Sequence, residues 1–317
     1  MTGYGENMRG ARAIKSHLLH ATGWIYPEII IFDVTHRCTS RCVGCNFREP
    51  EPGELSTSRW IELAREAREL GYREIVLTGG EPLAHPEITY LLPALSRELP
   101  VALMTNGLAI RKHAGLVRDH AARVFVSWDA ASESTYERIR GVRGLAAVRE
   151  GVRALGGHHA HARVTVWAEN VGELGALMEG AREAGFTELS LLAADTTSGG
   201  FGVRGDARGT PPRAEQLASL RAFLERVRDD PFVVMTDYAK ARLLTLSEGR
   251  MEAPRCSAPW TSGVVDPTGG WHHCFFLRSS ENVSAGLQAA MRAARSERRH
   301  LDVASNSQCA RCVCWRG

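Results

Sequence analysis

Three cysteines at positions 38, 42 and 45 stand directly after an apolar run, and Gly79-Gly80-Glu81-Pro82 follows the next such run. Three thiolates can hold a cubane iron–sulfur cluster by three of its irons. Four-cysteine ligation closes a cluster, so a three-cysteine loop leaves one iron open to a small chelating molecule. Paired glycines let backbone come close to a ligand, and a carboxylate such as Glu81 pairs with an ammonium group. Zinc competes for any cysteine set, yet this loop offers three thiolates and, nearby, no fourth donor except His36.

Such residues need elements to position them. Short β-branched runs alternate with helical patterns, which predicts βα units around a parallel sheet. Strands are expected over Glu28–Val34, Glu74–Leu77, Val101–Met104, Arg123–Ser127, Arg163–Trp167 and Glu188–Leu192. Trp60, Leu63, Ala64, Ala67 and Leu70 recur at helical spacing between a Ser56 or Thr57 cap and Gly71; Leu174, Leu177, Met178 and Ala181 repeat the pattern before Gly185. The unusual residues follow the strands in turn. The cysteine loop follows the first, Gly79–Pro82 the second, and Thr105-Asn106-Gly107 the third. Ser127-Trp128-Asp129 closes the fourth, Glu169 and Asn170 follow the fifth, and Ala193–Gly200 follows the sixth. Active sites of βα barrels lie at the carboxyl ends of the strands, so the expected fold is α/β, a partial (β/α)6 barrel. A long loop is expected over Gly199–Pro212, with helices near Ala214–Arg228 and Tyr238–Leu246. The expected organisation is an N-terminal helical extension (1–24), the barrel (25–230), and a linker helix with a small cysteine-rich domain (231–317).

The segment Asp33-Val-Thr-His-Arg-Cys38-Thr-Ser-Arg-Cys42-Val-Gly-Cys45-Asn-Phe47 resembles the radical S-adenosylmethionine (SAM) enzymes, whose signature is C-x3-C-x2-C with an aromatic residue two places later. The resemblance implies a 4Fe–4S cluster on Cys38, Cys42 and Cys45, and SAM beside it. It places Gly79, Gly80, Glu81 and Pro82 around the SAM amino group and Phe47 against the adenine. Ser127-Trp-Asp129, followed by Tyr136-Glu-Arg-Ile-Arg140-Gly141, resembles the strand-four segment of the SPASM/twitch subfamily. There a serine commonly contacts the SAM ribose or carboxylate, so Ser127 and Arg140 join the expected SAM-binding set. Trp128 and Ala130 depart from the subfamily's usual small residue and glycine. Asn106 and Asn170 also match recurring positions, and either residue type also caps turns.

Farther on, Cys256 and Cys274 are spaced C-x12-G-x4-C around Gly269, with Asp266–Gly270 as a turn between strands at Ser262–Val265 and Trp271–Phe276. This pattern resembles the subfamily's auxiliary-cluster hairpin, and Cys309 and Cys312 would complete four thiolate ligands of a second 4Fe–4S cluster. A four-cysteine zinc ribbon is the competing reading. With the chain ending at residue 317, the arrangement is similar to the twitch variant with one auxiliary cluster. Cys314 is then the spare thiol, a candidate hydrogen-atom donor.

Composition narrows the partners. The 317 residues are 44% apolar, enough for one barrel-sized domain and an appendage, and the net charge of +3 is spread among interspersed acids and bases. Neither a nucleic acid nor a membrane is called for. No signal-peptide core or spanning run is present, so a cytoplasmic location is expected, where thiols stay reduced. The basic stretch Met291–His300 reads as the outside of a helix. The His158, His159, His161 tract reads as a solvated loop at the bottom of the barrel, and His272 and His273 face opposite sides of a strand. Asp129, Glu169 and Asp195 are candidate acids for a cationic substrate. The resemblance implies reductive cleavage of SAM to a 5′-deoxyadenosyl radical, with an electron donor such as flavodoxin or ferredoxin. The expected substrate is a small-molecule alcohol (a sugar, aminocyclitol or nucleoside) undergoing dehydrogenation or epimerisation. That expectation follows the subfamily's small-molecule members, 2-deoxy-scyllo-inosamine dehydrogenase among them, and points to natural-product biosynthesis. A peptide maturase that crosslinks or epimerises a ribosomal peptide is the second reading, and a non-catalytic zinc protein the third.

Overall fold

The computed structural model describes residues 22, 24–43, 45, 47, 50–194, 211–247 and 256–303. Asp195, most of the Gly199–Pro212 loop, Cys309, Cys312, Cys314 and nearly all of the N-terminal extension lie outside the described residues.

Six βα steps build the first part of the chain. Strand β1 (Ile29–Asp33) leads through the cysteine loop to helix α1 (Thr57–Glu69), and β2 (Glu74–Thr78) to α2 (Ile88–Glu98). Strand β3 (Val101–Thr105) precedes α3 (Ala114–His120), and β4 (Arg123–Ser127) precedes α4 (Glu133–Arg140) and α5 (Leu145–Ala154). Strand β5 (Ala160–Val166) is followed by α6 (Leu174–Ala184), and β6 (Glu188–Ala193) by α7 (Ala214–Arg226) and α8 (Asp237–Ser247). All six strands pair in parallel and in sequence order, giving the open (β/α)6 barrel. The helix starts use local chemistry: Ser56 and Ser132 each accept a hydrogen bond from the backbone N–H three residues on.

The sheet has two unlike faces because successive strand side chains alternate. Ile30, Phe32, Ile75, Leu77, Leu103, Val124, Val126 and Val164 point at the helices and form the main core with Trp60, Leu63 and Leu91. The other face, toward the barrel lumen, is polar near its floor. There Arg123 grips Glu74 at 2.6 Å, the Arg123 and Arg163 guanidinium groups both lie over the Phe125 ring (5.6 and 5.4 Å), and His161 meets Glu188 at 3.0 Å. His161 therefore belongs to β5 and is 7% exposed, whereas the histidine tract was expected to be a solvated loop. Strand β5 starts at Ala160, three residues before the expected Arg163.

The C-terminal segment does not stand apart from this sheet. After the short helix α9 (Ala258–Thr261), strand β7 (Ser262–Val265) pairs in parallel with β1, and β8 (Gly270–His272) and β9 (Arg278–Asn282) follow antiparallel. Among the described residues the sheet runs β6-β5-β4-β3-β2-β1-β7-β8-β9. Helices α10 (Leu287–Ala293) and α11 (Arg295–Arg299) close the described chain. Arg298 is 1% exposed and donates to the Met291 carbonyl, so the basic stretch expected on the outside of a helix sends one cation inward. His272 bonds Asp266 at 2.9 Å and His273 bonds Glu297 at 2.8 Å.

Gly263 on β7 lies beneath the fully buried Trp271 ring, and an added Cβ would collide with that ring. Gly263→Ala should cost about 1–3 kcal/mol through overpacking, read as a Tm lower by several degrees; an unchanged Tm would contradict the packing. Burial, and then the Arg163 charge, lower the His161 pKa from 6.5 to about 4. The folded protein thus holds fewer protons there than the unfolded chain, and stability present above pH 6.5 is lost as the pH falls toward 4. His161→Gln should flatten that part of a plot of Tm against pH.

Candidate radical SAM site

Above the polar floor, the carboxyl ends of the strands surround a cavity of about 320 Å³. The thiols of Cys38, Cys42 and Cys45 all border it, together with Gly79, Gly80, Asn106, Ser127, Asp129 and Arg140. Its apolar wall includes Met104, Ile139, Trp167 and Leu192.

The cysteine loop is held from two sides by backbone bonds. On one side the Gly80 N–H donates to Thr35 O (2.7 Å) and the Glu81 N–H to Arg37 O (2.8 Å). The two glycines permit this approach. Gly79 has φ +147°, a Cβ there would lie 2.5 Å from Thr35 O, and a Cβ on Gly80 would collide with Arg37 O and lie 2.6 Å from His36 O. On the other side the C-terminal end of α4 accepts from the loop, Arg41 N–H to Arg140 O and Val43 N–H to Ile139 O, both at 2.9 Å. Glu54 supports the loop from a third direction, accepting from the Thr35 hydroxyl at 3.1 Å and the His36 N–H at 3.0 Å. Glu54 is not legible from sequence, because no spacing rule ties it to the cysteines 9, 12 and 16 residues before it.

Glu81 is fully buried and does not border the cavity. Its carboxylate accepts from the Leu83 N–H (3.0 Å), the Thr105 hydroxyl (2.8 Å) and the Asn106 N–H (2.6 Å). Burial raises its pKa against those three donors. It fastens the glycine loop to the end of β3, with Pro82 starting the single helical turn behind it. Asn170 is fully buried as well, linking the Trp167 N–H, Asp129 O and Thr165 O at 2.8–2.9 Å. Phe47 stacks on the His36 ring at 4.0 Å, and His36 lies between the Asp33 and Glu51 carboxylates (3.3 and 2.8 Å). Ser127 and Arg140 are cavity residues, with Arg140 donating to Asp129 at 3.0 Å. Burial opposes the Arg140 charge, but the neighbouring Cys42 and Asp129 groups outweigh it and raise its pKa. Asp129 also accepts from the Thr165 N–H at 2.7 Å, which commits both of its oxygens within the protein.

The donor set fits a cluster: three thiols line one cavity, and thiolates are the ligands of iron–sulfur clusters. Burial pushes the Cys45 thiol up to about 11 and raises Cys38 too. Both are therefore thiols at neutral pH, and metal binding has to displace their protons. Of the second set, Cys256 and Cys274 pack against the same small apolar cluster of Trp260, Leu277 and Val303. Their expected partners lie outside the described residues.

Residues 32–169 match the family model of the radical SAM superfamily, and that match implies a 4Fe–4S cluster and SAM. The chain is 30% identical over 211 residues to a probable GTP 3′,8-cyclase of Methanopyrus kandleri, covering 62% of this chain and 64% of that protein. It is 26% identical over 266 residues to the antilisterial bacteriocin subtilosin biosynthesis protein AlbA of Bacillus subtilis, covering 81% of this chain and 54% of that one. The chain thus spans roughly half to two-thirds of these relatives' length. Its fold follows the crystal structure of Streptococcus suis SuiB bound to precursor peptide SuiA, with a TM-score of 0.71 at 16% identity, covering 98% of this chain and 76% of that one.

Because a Cβ on Gly80 meets backbone and not a flexible side chain, Gly80→Ala should pull the glycine loop off the cysteine loop. The variant is expected to lose most of the iron and sulfide that the reconstituted wild type takes up, measured by colorimetric assay. Full incorporation would show that the close approach is dispensable.

Proposed function

We propose that this chain is a radical SAM enzyme acting on a peptide, with Cys38, Cys42 and Cys45 holding the 4Fe–4S cluster. The observation that carries the first half is the bordering of one strand-end cavity by those three thiols, the glycine loop, Ser127 and Arg140. When bound, the cluster and SAM together supply a 5′-deoxyadenosyl radical that abstracts a hydrogen atom. The chain's own residues do the rest. Gly79 and Gly80 bring backbone to the SAM amino group, Ser127 and Arg140 offer a hydroxyl and a cation to its carboxylate or ribose, and Met104, Ile139 and Trp167 exclude water. Residues 231–317 form the auxiliary region, in which Cys256, Cys274, Cys309 and Cys312 hold a second cluster, and flavodoxin or ferredoxin supplies electrons.

The peptide half replaces the small-molecule alcohol first expected from sequence. It is supported by the likeness to AlbA, which extends over 81% of this chain into the C-terminal segment and belongs to a protein of bacteriocin biosynthesis. A small-molecule substrate is the second reading, favoured by the likeness to the GTP 3′,8-cyclase. The expected peptide chemistry is crosslinking or epimerisation.

Anaerobically reconstituted protein given SAM and dithionite should release 5′-deoxyadenosine, and Cys38→Ser, Cys42→Ser or Cys45→Ser should each abolish release. Deuterium should move from a labelled peptide into 5′-deoxyadenosine. Transfer from a labelled sugar, aminocyclitol or nucleotide, with none from peptide, would reverse the choice of substrate. Wild-type protein that binds zinc without sulfide would defeat the enzyme reading.

A further inference from the structure

Asn106 stands at the end of β3 and is 5% exposed. Its backbone N–H is held by Glu81 at 2.6 Å, and its side-chain oxygen accepts from the Leu108 N–H at 3.0 Å. That second bond fixes which way the amide faces. The NH2 group is turned toward the cysteine loop, 3.0 Å from the Thr39 hydroxyl, 3.2 Å from the Ser40 hydroxyl and 3.8 Å from the Cys38 sulfur. The Ser40 N–H reaches the same sulfur at 3.4 Å. Cys38 thus has two N–H groups directed at it, one on its own loop and one from a different strand.

We propose that Asn106 is a positioning residue that tunes the cluster, its side-chain N–H donating to the Cys38 thiolate and raising the cluster's reduction potential. The inference rests on the functional reading above. A thiolate ligand donates electron density to iron. A hydrogen bond to its sulfur withdraws part of that density and favours the form of the cluster that carries the extra electron. Burial strengthens the effect, since water does not compete for the sulfur. The donor is neutral, so it adds no charge that the SAM carboxylate would feel. Because Glu81 holds the Asn106 backbone, the glycine loop and the potential of the cluster are coupled through one side chain. Within this arrangement the Asn106 amide serves the cluster and the cysteine loop from the wall of the cavity.

The test uses the full chain, reconstituted anaerobically, with the midpoint potential read by EPR-monitored titration without SAM. Asn106→Ala and Asn106→Asp should each shift the midpoint to lower potential, and the aspartate, which adds a negative charge, should shift it further. Thr39→Ala removes a competing acceptor and no donor to the sulfur, so its midpoint should stay or rise. A second measurement needs no variant. Wild-type protein labelled with ¹⁵N at the asparagine side-chain amides should show a nitrogen coupling to the reduced cluster in pulsed EPR. Absence of that coupling, or a wild-type midpoint in an Asn106 variant with full iron and sulfide, would overturn the inference alone. A wild-type chain without sulfide-bridged iron would overturn the functional reading, and this inference with it.

Discussion

Among its described residues the cysteine loop has little secondary structure of its own, so their placement depends on backbone bonds supplied by neighbours. The Gly79–Gly80 loop gives N–H groups to its carbonyls, and the end of α4 takes N–H groups from it. Two carboxylates, Glu54 and Glu81, anchor these arrangements. Burying a carboxylate like Glu81 without partners would cost several kcal/mol, and its three donors offset that cost while tying β2 to β3. The site's geometry is therefore set by buried polar bonding around the loop more than by the loop itself. A closed polar network of this kind specifies one arrangement, because a half-satisfied version would be worse than none.

This constraint also explains the place of the C-terminal segment. Strand β7 pairs with β1, the strand that launches the cysteine loop. The β7–β8 hairpin is held by Asp266, whose carboxylate accepts from the Thr268 and Gly270 N–H groups and bonds His272. Trp271 is locked over Gly263 on the helix side of the sheet. Cys256 and Cys274 lie on the segment that flanks this hairpin, so the same hydrogen-bonded sheet carries the first cysteine loop and, beside β7 and β8, these two further cysteines.

Much of this was legible in sequence because it depends on local pattern. The six parallel strands, the Ser56 cap and the buried Leu174–Ala181 stripe follow from alternation, helical period and capping chemistry. Cys38, Cys42 and Cys45 were legible because their spacing is itself the chemistry. Partner choice among buried polar groups was less so. Glu81 and Asn170 sit where motif positions place them, yet their side chains bond the protein, and nothing in their neighbours' identities says which way a buried carboxylate or amide turns. His161 and Arg298 were misjudged for a related reason. A charged or ionisable residue inside an element reads as exposed until its partner, Glu188 or the Met291 carbonyl, is known.

The same bonding bears on where substrate selectivity arises. Asp129 is the one strand-four acid beside the cavity, and it looked suited to a cationic substrate. Its oxygens are already taken by Arg140 and the Thr165 N–H, so recruiting it would unpair a buried guanidinium at a cost of several kcal/mol. Arg140 in turn lies beside the thiols of Cys38 and Cys42. The polar wall of the cavity is thus bonded within the protein beside the three thiols, and in the proposed function it serves the cluster and SAM. The proposed function then leaves a substrate to be distinguished beyond that wall, at the β6 end where Leu192 and Ala193 border the cavity. In that reading the radical chemistry and the choice of target draw on different parts of the barrel, so a likeness centred on the first carries little information about the second.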